Sequence, residues 1–299
     1  MTRIAVVGVG AVGGVVAASL ASTGRMEVAA CVRSPLGGLR IDGPDEGTRT
    51  ASVHVHEEFD PARVSPVEWV LLATKVHQTA GAAPWLERLC GAGTRVVVLQ
   101  NGVEHLQRVG PLAGPARVLP AVVDIAAESL RRGHIRLFDR PRITVPEGED
   151  GADFVALCQD SGIAVALTGD FVTAAWAKLC LNVANGAITA LTMRRMPVFA
   201  HPRVARLGRA LAEEARRVAV ASGARLPEDL AEQVIARLRT LPAESGSSML
   251  WDRLAGRALE YDARNGAVVR AGARLGIPTP YNEAVTALLE AVSERDDAT

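Results

Sequence analysis

Arg3-Ile4-Ala5-Val6-Val7-Gly8-Val9-Gly10-Ala11-Val12-Gly13 opens the chain, and its reading decides the fold. Arg3 to Val7 is a short, apolar, β-branched run, which predicts a buried strand. Three glycines follow in the spacing Gly8-x-Gly10-x-x-Gly13, and an apolar stretch from about Gly14 to Ser22 predicts a helix that Gly24 closes. Val28 to Val32 then predicts a second buried strand. A strand, this glycine loop, a helix and a strand in that order form the dinucleotide-binding fingerprint in the context it requires. Gly8 permits the tight turn, Gly10 lets a pyrophosphate approach the backbone, and Gly13 lets helix and strand pack closely. The backbone of Val9, Ala11 and Val12 completes a loop at the positive end of the helix.

The end of the second strand bears on the choice of cofactor. Cys31-Val32-Arg33-Ser34 has no carboxylate to accept from a ribose 2′-hydroxyl, and the next one is Asp42. Arg33 suits a 2′-phosphate, with Ser34 as a second donor, so NADPH is favoured over NADH. Trp69 to Thr74 predicts another buried strand with Lys75 at its carboxyl end, and Val96 to Leu99 a further one ending at Gln100-Asn101-Gly102. Ligands of open α/β sheets bind beyond the carboxyl ends of strands, so Lys75 and Asn101 are placed towards a nicotinamide. Segments Arg117–Val123, His134–Leu137 and Arg142–Val145 suggest more strands, some antiparallel, and one near Ile163–Leu167 ends the first domain. The expected division is a doubly wound Rossmann-type NADP-binding domain over 1–168 and an all-helical substrate and catalytic domain over 169–299.

Composition narrows the function. Lys plus Arg and Asp plus Glu both total 33, so the charge gives no reason to expect nucleic acid or a membrane surface as partner. No apolar run of membrane-spanning length stands out, and no basic leader precedes the first strand. Cys31, Cys90, Cys158 and Cys180 are far apart, which predicts reduced thiols of a cytoplasmic protein and no metal site. Only two basic residues are lysine, Lys75 and Lys178. Where arginine serves as the general cation, a retained lysine marks a place that needs an ammonium able to give up a proton.

From Phe171 long helical patterns replace the strands. In Phe171 to Thr192, Lys178, Asn182 and Asn185 fall at i, i+4 and i+7, one helix face carrying an ammonium and two amides. Pro202 to Arg239 has the periodicity of solvated scaffold helices. A polar turn from Pro242 to Ser248 leads into a predicted single helix from Met249 to about Arg274 carrying Glu260, Tyr261, Asp262 and Asn265. Gly276-Ile277-Pro278-Thr279-Pro280 breaks it, a last helix runs from Asn282 to about Val292, and the tail 293–299 is expected to fray.

Taken together, these blocks resemble the ketopantoate reductase (2-dehydropantoate 2-reductase) family. They are Gly8-x-Gly10-Ala11-Val12-Gly13-Gly14, Thr74-Lys75, Gln100-Asn101-Gly102, Trp176-x-Lys178-Leu179-x-x-Asn182, Ser247-Ser248-Met249-Leu250-x-Asp252, Glu260-x-Asp262-x-x-Asn265-Gly266 and Gly276-Ile277-Pro278-Thr279-Pro280. The resemblance covers nearly the whole chain. It implies NADPH-dependent reduction of 2-ketopantoate to pantoate, on the route to pantothenate and coenzyme A, in a cleft between a Rossmann and a helical domain. It also implies that Lys178 is the general acid and that Glu260 supports the site. Asn182 and Ser248 would bind substrate beside Asn185, Asn101 would lie at the junction of substrate and cofactor, and Lys75 and Arg33 would bind NADPH. The chain departs from the family helix at Gly186 and Ala187, where Asn and Pro are common, and carries Asn185 one residue earlier.

Two alternatives stay open on the residues alone. One is a paralogue that reduces another small branched 2-keto acid or ketone, which the Gly186 departure favours. The other is an NADPH-binding regulator, which would need the glycine loop and Arg33 but not Lys178, Asn182 and Glu260. A homodimer is also left open.

Overall fold

The computed structural model describes residues 1–34, 36–43, 47–51, 53–56 and 64–294. It divides into two compact units, Met1–Phe171 and Val172–Thr299. In the first unit the strands are β1 (Thr2–Val7), β2 (Met26–Cys31), β3 (Leu39–Asp42), β4 (Thr48–Ala51), β5 (His54–His56), β6 (Trp69–Leu72), β7 (Arg95–Val98), β8 (Arg117–Pro120), β9 (Val122–Asp124), β10 (Ala127–Arg131), β11 (His134–Leu137), β12 (Arg142–Pro146) and β13 (Ala164–Thr168). The helices there are α1 (Ala11–Ala21), α2 (Ala83–Leu89), α3 (His105–Val109) and α4 (Glu149–Leu157).

Six strands form a parallel sheet in the order β5-β2-β1-β6-β7-β8. Both of its faces are covered, and the alternation of side chains along β1 shows how. Ile4 and Val6 join one apolar cluster with Val15, Val16 and Leu20 of α1, whereas Ala5 and Val7 join another with Trp85, Leu86 and Leu89 of α2. A strand buried on both faces reads as a continuous apolar run, which is why Arg3–Val7 was legible. Each large side chain so buried is worth about 1.5–3 kcal/mol. The fold class is therefore the expected doubly wound α/β sheet followed by helices.

Among the described residues two smaller sheets accompany the parallel one, ordered β10-β11-β3-β4 and β13-β12-β9. The expected antiparallel members are β3 with β4, β10 with β11, and β9 with β12. The segment Arg117–Val123 is not one strand. β8 closes the large sheet, and β9 pairs with β12 in a different one. The chain changes sheet at Pro120-Ala121, where proline supplies no backbone donor to continue a ladder. Helix α1 also begins earlier than the glycines suggested, at Ala11. Gly13 and Gly14 are poor helix formers, but they lie inside α1 because both permit close packing: a β-carbon at Gly14 would sit 2.2 Å from Ile135 Cδ1 of β11.

The second unit is helical, with α5 (Phe171–Thr192), α6 (Pro202–Ala221), α7 (Leu230–Thr240), α8 (Ser248–Leu254), α9 (Ala267–Leu275) and α10 (Pro280–Ser293). Contrary to the sequence expectation, α5 is by length and composition apolar enough to cross a membrane, at a mean hydropathy of 1.2. Half of that window is buried inside the protein, the pattern of a core helix. The single helix predicted from Met249 to Arg274 is also corrected. Helix α8 stops at Leu254 because Gly256 adopts φ +61°, and Arg257 N then donates 2.8 Å to Asp252 O. The chain re-enters helix through a π-helical turn, Asp262–Gly266, whose Gly266 N donates 3.0 Å to Tyr261 O. Gly276, at φ +68°, ends α9 where expected. Of the expected frayed tail, 295–299 lie outside the described residues.

Candidate active site

The glycine loop occupies the carboxyl end of β1, and its three glycines answer different demands. Gly8 has φ +92°, and a β-carbon there would fall 2.6 Å from Thr74 N. At Gly13 a β-carbon would fall 2.1 Å from Gly8 O. These two glycines are required by the fold itself. At Gly10 a β-carbon would meet no protein atom within 4 Å, so nothing in the packing asks for glycine there. A loop whose middle glycine alone has free approach, at the first turn of α1, suits a group that comes close to the backbone, as a pyrophosphate does. The residues present fit a dinucleotide.

Val9, Ala11 and Val12 pack against the core that α1 shares with the large sheet. Arg33 is exposed two residues beyond β2, and Ser34 beside it is half-buried. Asp42 is engaged elsewhere: it pairs with Arg40 at 3.1 Å and with His134 Nε2 at 2.6 Å.

Lys75 and Asn101, both half-buried, follow β6 and β7 at the same edge of the sheet. Sequence reasoning missed what fixes them. Gln100, which is buried, donates from Nε2 3.1 Å to Thr74 O, with Thr74 Oγ1 and Thr79 Oγ1 each 2.9 Å away. His105 donates from Nε2 to Gln100 O at 3.0 Å. This knot ties the two strand ends together, and Gly102 at φ +103° turns the chain away from it. The glutamine stood beside Asn101 in the motif, but only the fold shows what it holds.

In the second unit Lys178, Asn182 and Asn185 share the half-buried face of α5, while Trp176, Leu179, Cys180 and Val183 are buried. Asn185 Oδ1 is buried and has no hydrogen-bond partner. An unmet buried acceptor costs about 1–3 kcal/mol, so this one asks for an explanation beyond packing. The two serines before α8 differ in role. Ser247 is buried, accepts from Leu250 N at 3.0 Å as the N-cap, and lies 2.6 Å from Thr189 Oγ1 of α5. Ser248, next to it, is exposed. Ser247 was read from the sequence only as part of a polar turn, not as a cap. Its partner Thr189 on α5 was not read either.

Glu260 is buried, i and i+4 with Arg264 across the π-helical turn, and Arg264 Nη2 stands 3.5 Å from Glu260 Oε2. Arg264 was not singled out from sequence. Among the described residues no three His, Cys, Asp or Glu side chains group in a way that could hold a metal ion.

Comparison with known proteins covers both units. The ketopantoate reductase PanE/ApbA family model matches residues 4–150, and its C-terminal counterpart matches 170–293. The chain is 44% identical over 294 residues to the 2-dehydropantoate 2-reductase of Caulobacter vibrioides, covering 98% of this chain and 100% of that protein. It is 40% identical over 296 residues to the 2-dehydropantoate 2-reductase of Mycobacterium tuberculosis, covering 98% of each. Among solved structures, a PanE/ApbA family ketopantoate reductase from Ralstonia eutropha JMP134 superposes with a TM-score of 0.88 at 31% identity, covering 98% of both chains.

Proposed function

The chain belongs to the ketopantoate reductase family, and from that premise we propose that it is an oxidoreductase reducing 2-ketopantoate to pantoate with NADPH. The observation that carries this is 40–44% identity to two 2-dehydropantoate 2-reductases over nearly the full chain. The polar face of α5 supports it, because an ammonium and two amides on one otherwise apolar helix suit a small, charged, hydroxylated substrate.

NADPH, when bound, supplies the hydride, two electrons and a proton's mass, to the keto carbon. The residues of the chain do the rest. Gly8, Gly10 and Gly13, with the backbone of Val9, Ala11 and Val12, would receive the pyrophosphate. Arg33 would pair with the 2′-phosphate, and Lys75 and Asn101 would hold the cofactor, with Asn101 also reaching the substrate. As the carbonyl π bond breaks, negative charge gathers on its oxygen. Lys178 Nζ stabilises that charge and donates the proton, leaving a neutral amine that solvent recharges. Glu260 supports the polar network around that ammonium, and Asn182, Asn185 and Ser248 orient the carboxylate and hydroxyl of the substrate. Four buried thiols suit a reducing compartment, and we place the reaction in the cytoplasm.

The experiment is NADPH oxidation by the purified protein with a panel of 2-keto acids. Ketopantoate is expected to give the highest kcat/KM. A better straight-chain or differently branched keto acid would move the assignment to a paralogous reductase. No turnover with any of them would refute it.

A further inference from the structure

We propose that Arg264 is a positioning residue for substrate capture, fixing Ser248 as a hydrogen-bond donor, an inference that rests on Ser248 belonging to the site of 2-keto acid reduction. Arg264 and Glu260 are both almost wholly buried, their side chains 3% and 2% exposed. Burying a guanidinium and a carboxylate is expensive, and well-packed apolar residues of similar volume are usually as stable or more so. Stability alone therefore does not explain a cation here, still less one whose Nε is buried without a partner.

The surroundings are built to admit it. A β-carbon at Gly186 of α5 would lie 3.0 Å from Arg264 Nη1 and 3.0 Å from Met249 Sδ. The glycine that departs from the family helix thus makes the room that the guanidinium occupies. The π-helical turn over Asp262–Gly266 carries Arg264, and such single-turn distortions occur often at functional sites.

What the guanidinium does follows from its donors. Nη2 donates to Ser248 Oγ at 2.7 Å and stands 3.5 Å from Glu260 Oε2. A hydroxyl that accepts from a cation must send its single hydrogen elsewhere. Ser248 is exposed, so that hydrogen is available to a carboxylate or hydroxyl oxygen of the substrate.

The test is a double-mutant cycle of Arg264→Met and Ser248→Ala, read as KM for the keto acid, kcat per folded enzyme and Kd for NADPH. Arg264→Met is expected to raise KM about 10–100-fold, the range for a lost charge-assisted hydrogen bond, with NADPH Kd changed less than about twofold. Adding Ser248→Ala to it should cost little more, because the two act as one unit. Gly186→Ala, which crowds the guanidinium without removing it, should raise KM in the same direction, and it stands in if Arg264→Met does not fold. An unchanged KM in the folded variants, or effects of Arg264→Met and Ser248→Ala that multiply, would overturn the inference alone. A wild type that turns over no 2-keto acid would overturn it together with the reading of the site.

Discussion

In the proposed mechanism Lys178 and Arg33 are single residues that carry separate parts of the chemistry. Lysine is rare in this chain, and Lys178 stands on the α5 face that also carries Asn182 and Asn185. General-acid catalysis contributes roughly 10²–10⁴-fold. Lys178→Ala should therefore lower kcat by about that factor while NADPH Kd, followed by fluorescence, changes little. Lys178→Arg should recover little, because a guanidinium keeps the charge but is a far weaker acid. Near wild-type turnover in Lys178→Ala would move the proton donor elsewhere. Arg33 is exposed beyond β2. Arg33→Asp should weaken NADPH by about 1.5–3 kcal/mol, a charge-assisted contact, and NADH much less. Equal losses for the two cofactors, by titration, would remove the 2′-phosphate assignment.

At the scale of elements, the glycine loop separates fold from function. Gly13→Ala forces a β-carbon against Gly8 O and should destabilise by about 1–3 kcal/mol, as overpacking does. Gly10→Ala meets no protein atom, so thermal stability should hold while NADPH affinity falls. Parallel losses of stability in both variants would show that Gly10 also serves only the fold. Helix α10 offers a test in the other unit. Buried Glu214 of α6 accepts from Tyr281 N at 2.9 Å, Asn282 N at 2.9 Å and Asn282 Nδ2 at 2.7 Å, capping that helix at its positive end. Glu214→Ala should cost about 1–3 kcal/mol by leaving those donors unmet, read as a lower midpoint of denaturation. An unchanged midpoint would mean that the cap is dispensable.

These elements were unequally legible. Strands β1, β6 and β7 announced themselves because burial on both faces makes continuous apolar runs. Helix α5 matched its predicted limits because twenty-odd residues of consistent period leave little ambiguity. Leu39-Arg40-Ile41-Asp42 of β3 is too short an alternation to stand out. The break after α8 turned on one glycine, Gly256, within an otherwise helical pattern. Lys178, Asn182 and Asn185 could be picked out as neighbours on one helix turn after another. The fit of Arg264 into the room left by Gly186 joins positions 78 residues apart, and no local pattern carries that.

Across the whole molecule all four cysteines are buried, which pushes Cys31, Cys158 and Cys180 up to about 12 and Cys90 to about 11. The folded protein should then resist thiol reagents at neutral pH and react only on unfolding, since the thiolate is the nucleophile. In the unfolded chain these thiols ionise near 9, so stability should fall as the pH rises from about 9 towards the folded values, and constant stability over that window would contradict their burial. Activity, by contrast, should be indifferent to them, because none belongs to the proposed chemistry. That chemistry has one direct test: the protein is given ketopantoate and NADPH deuterated on the transferring face of the nicotinamide C4, and the product is weighed. Pantoate about one mass unit heavier, with the deuterium at C2, is the result expected of direct hydride transfer. Unlabelled pantoate, or NADPH oxidised with no pantoate formed, would contradict it.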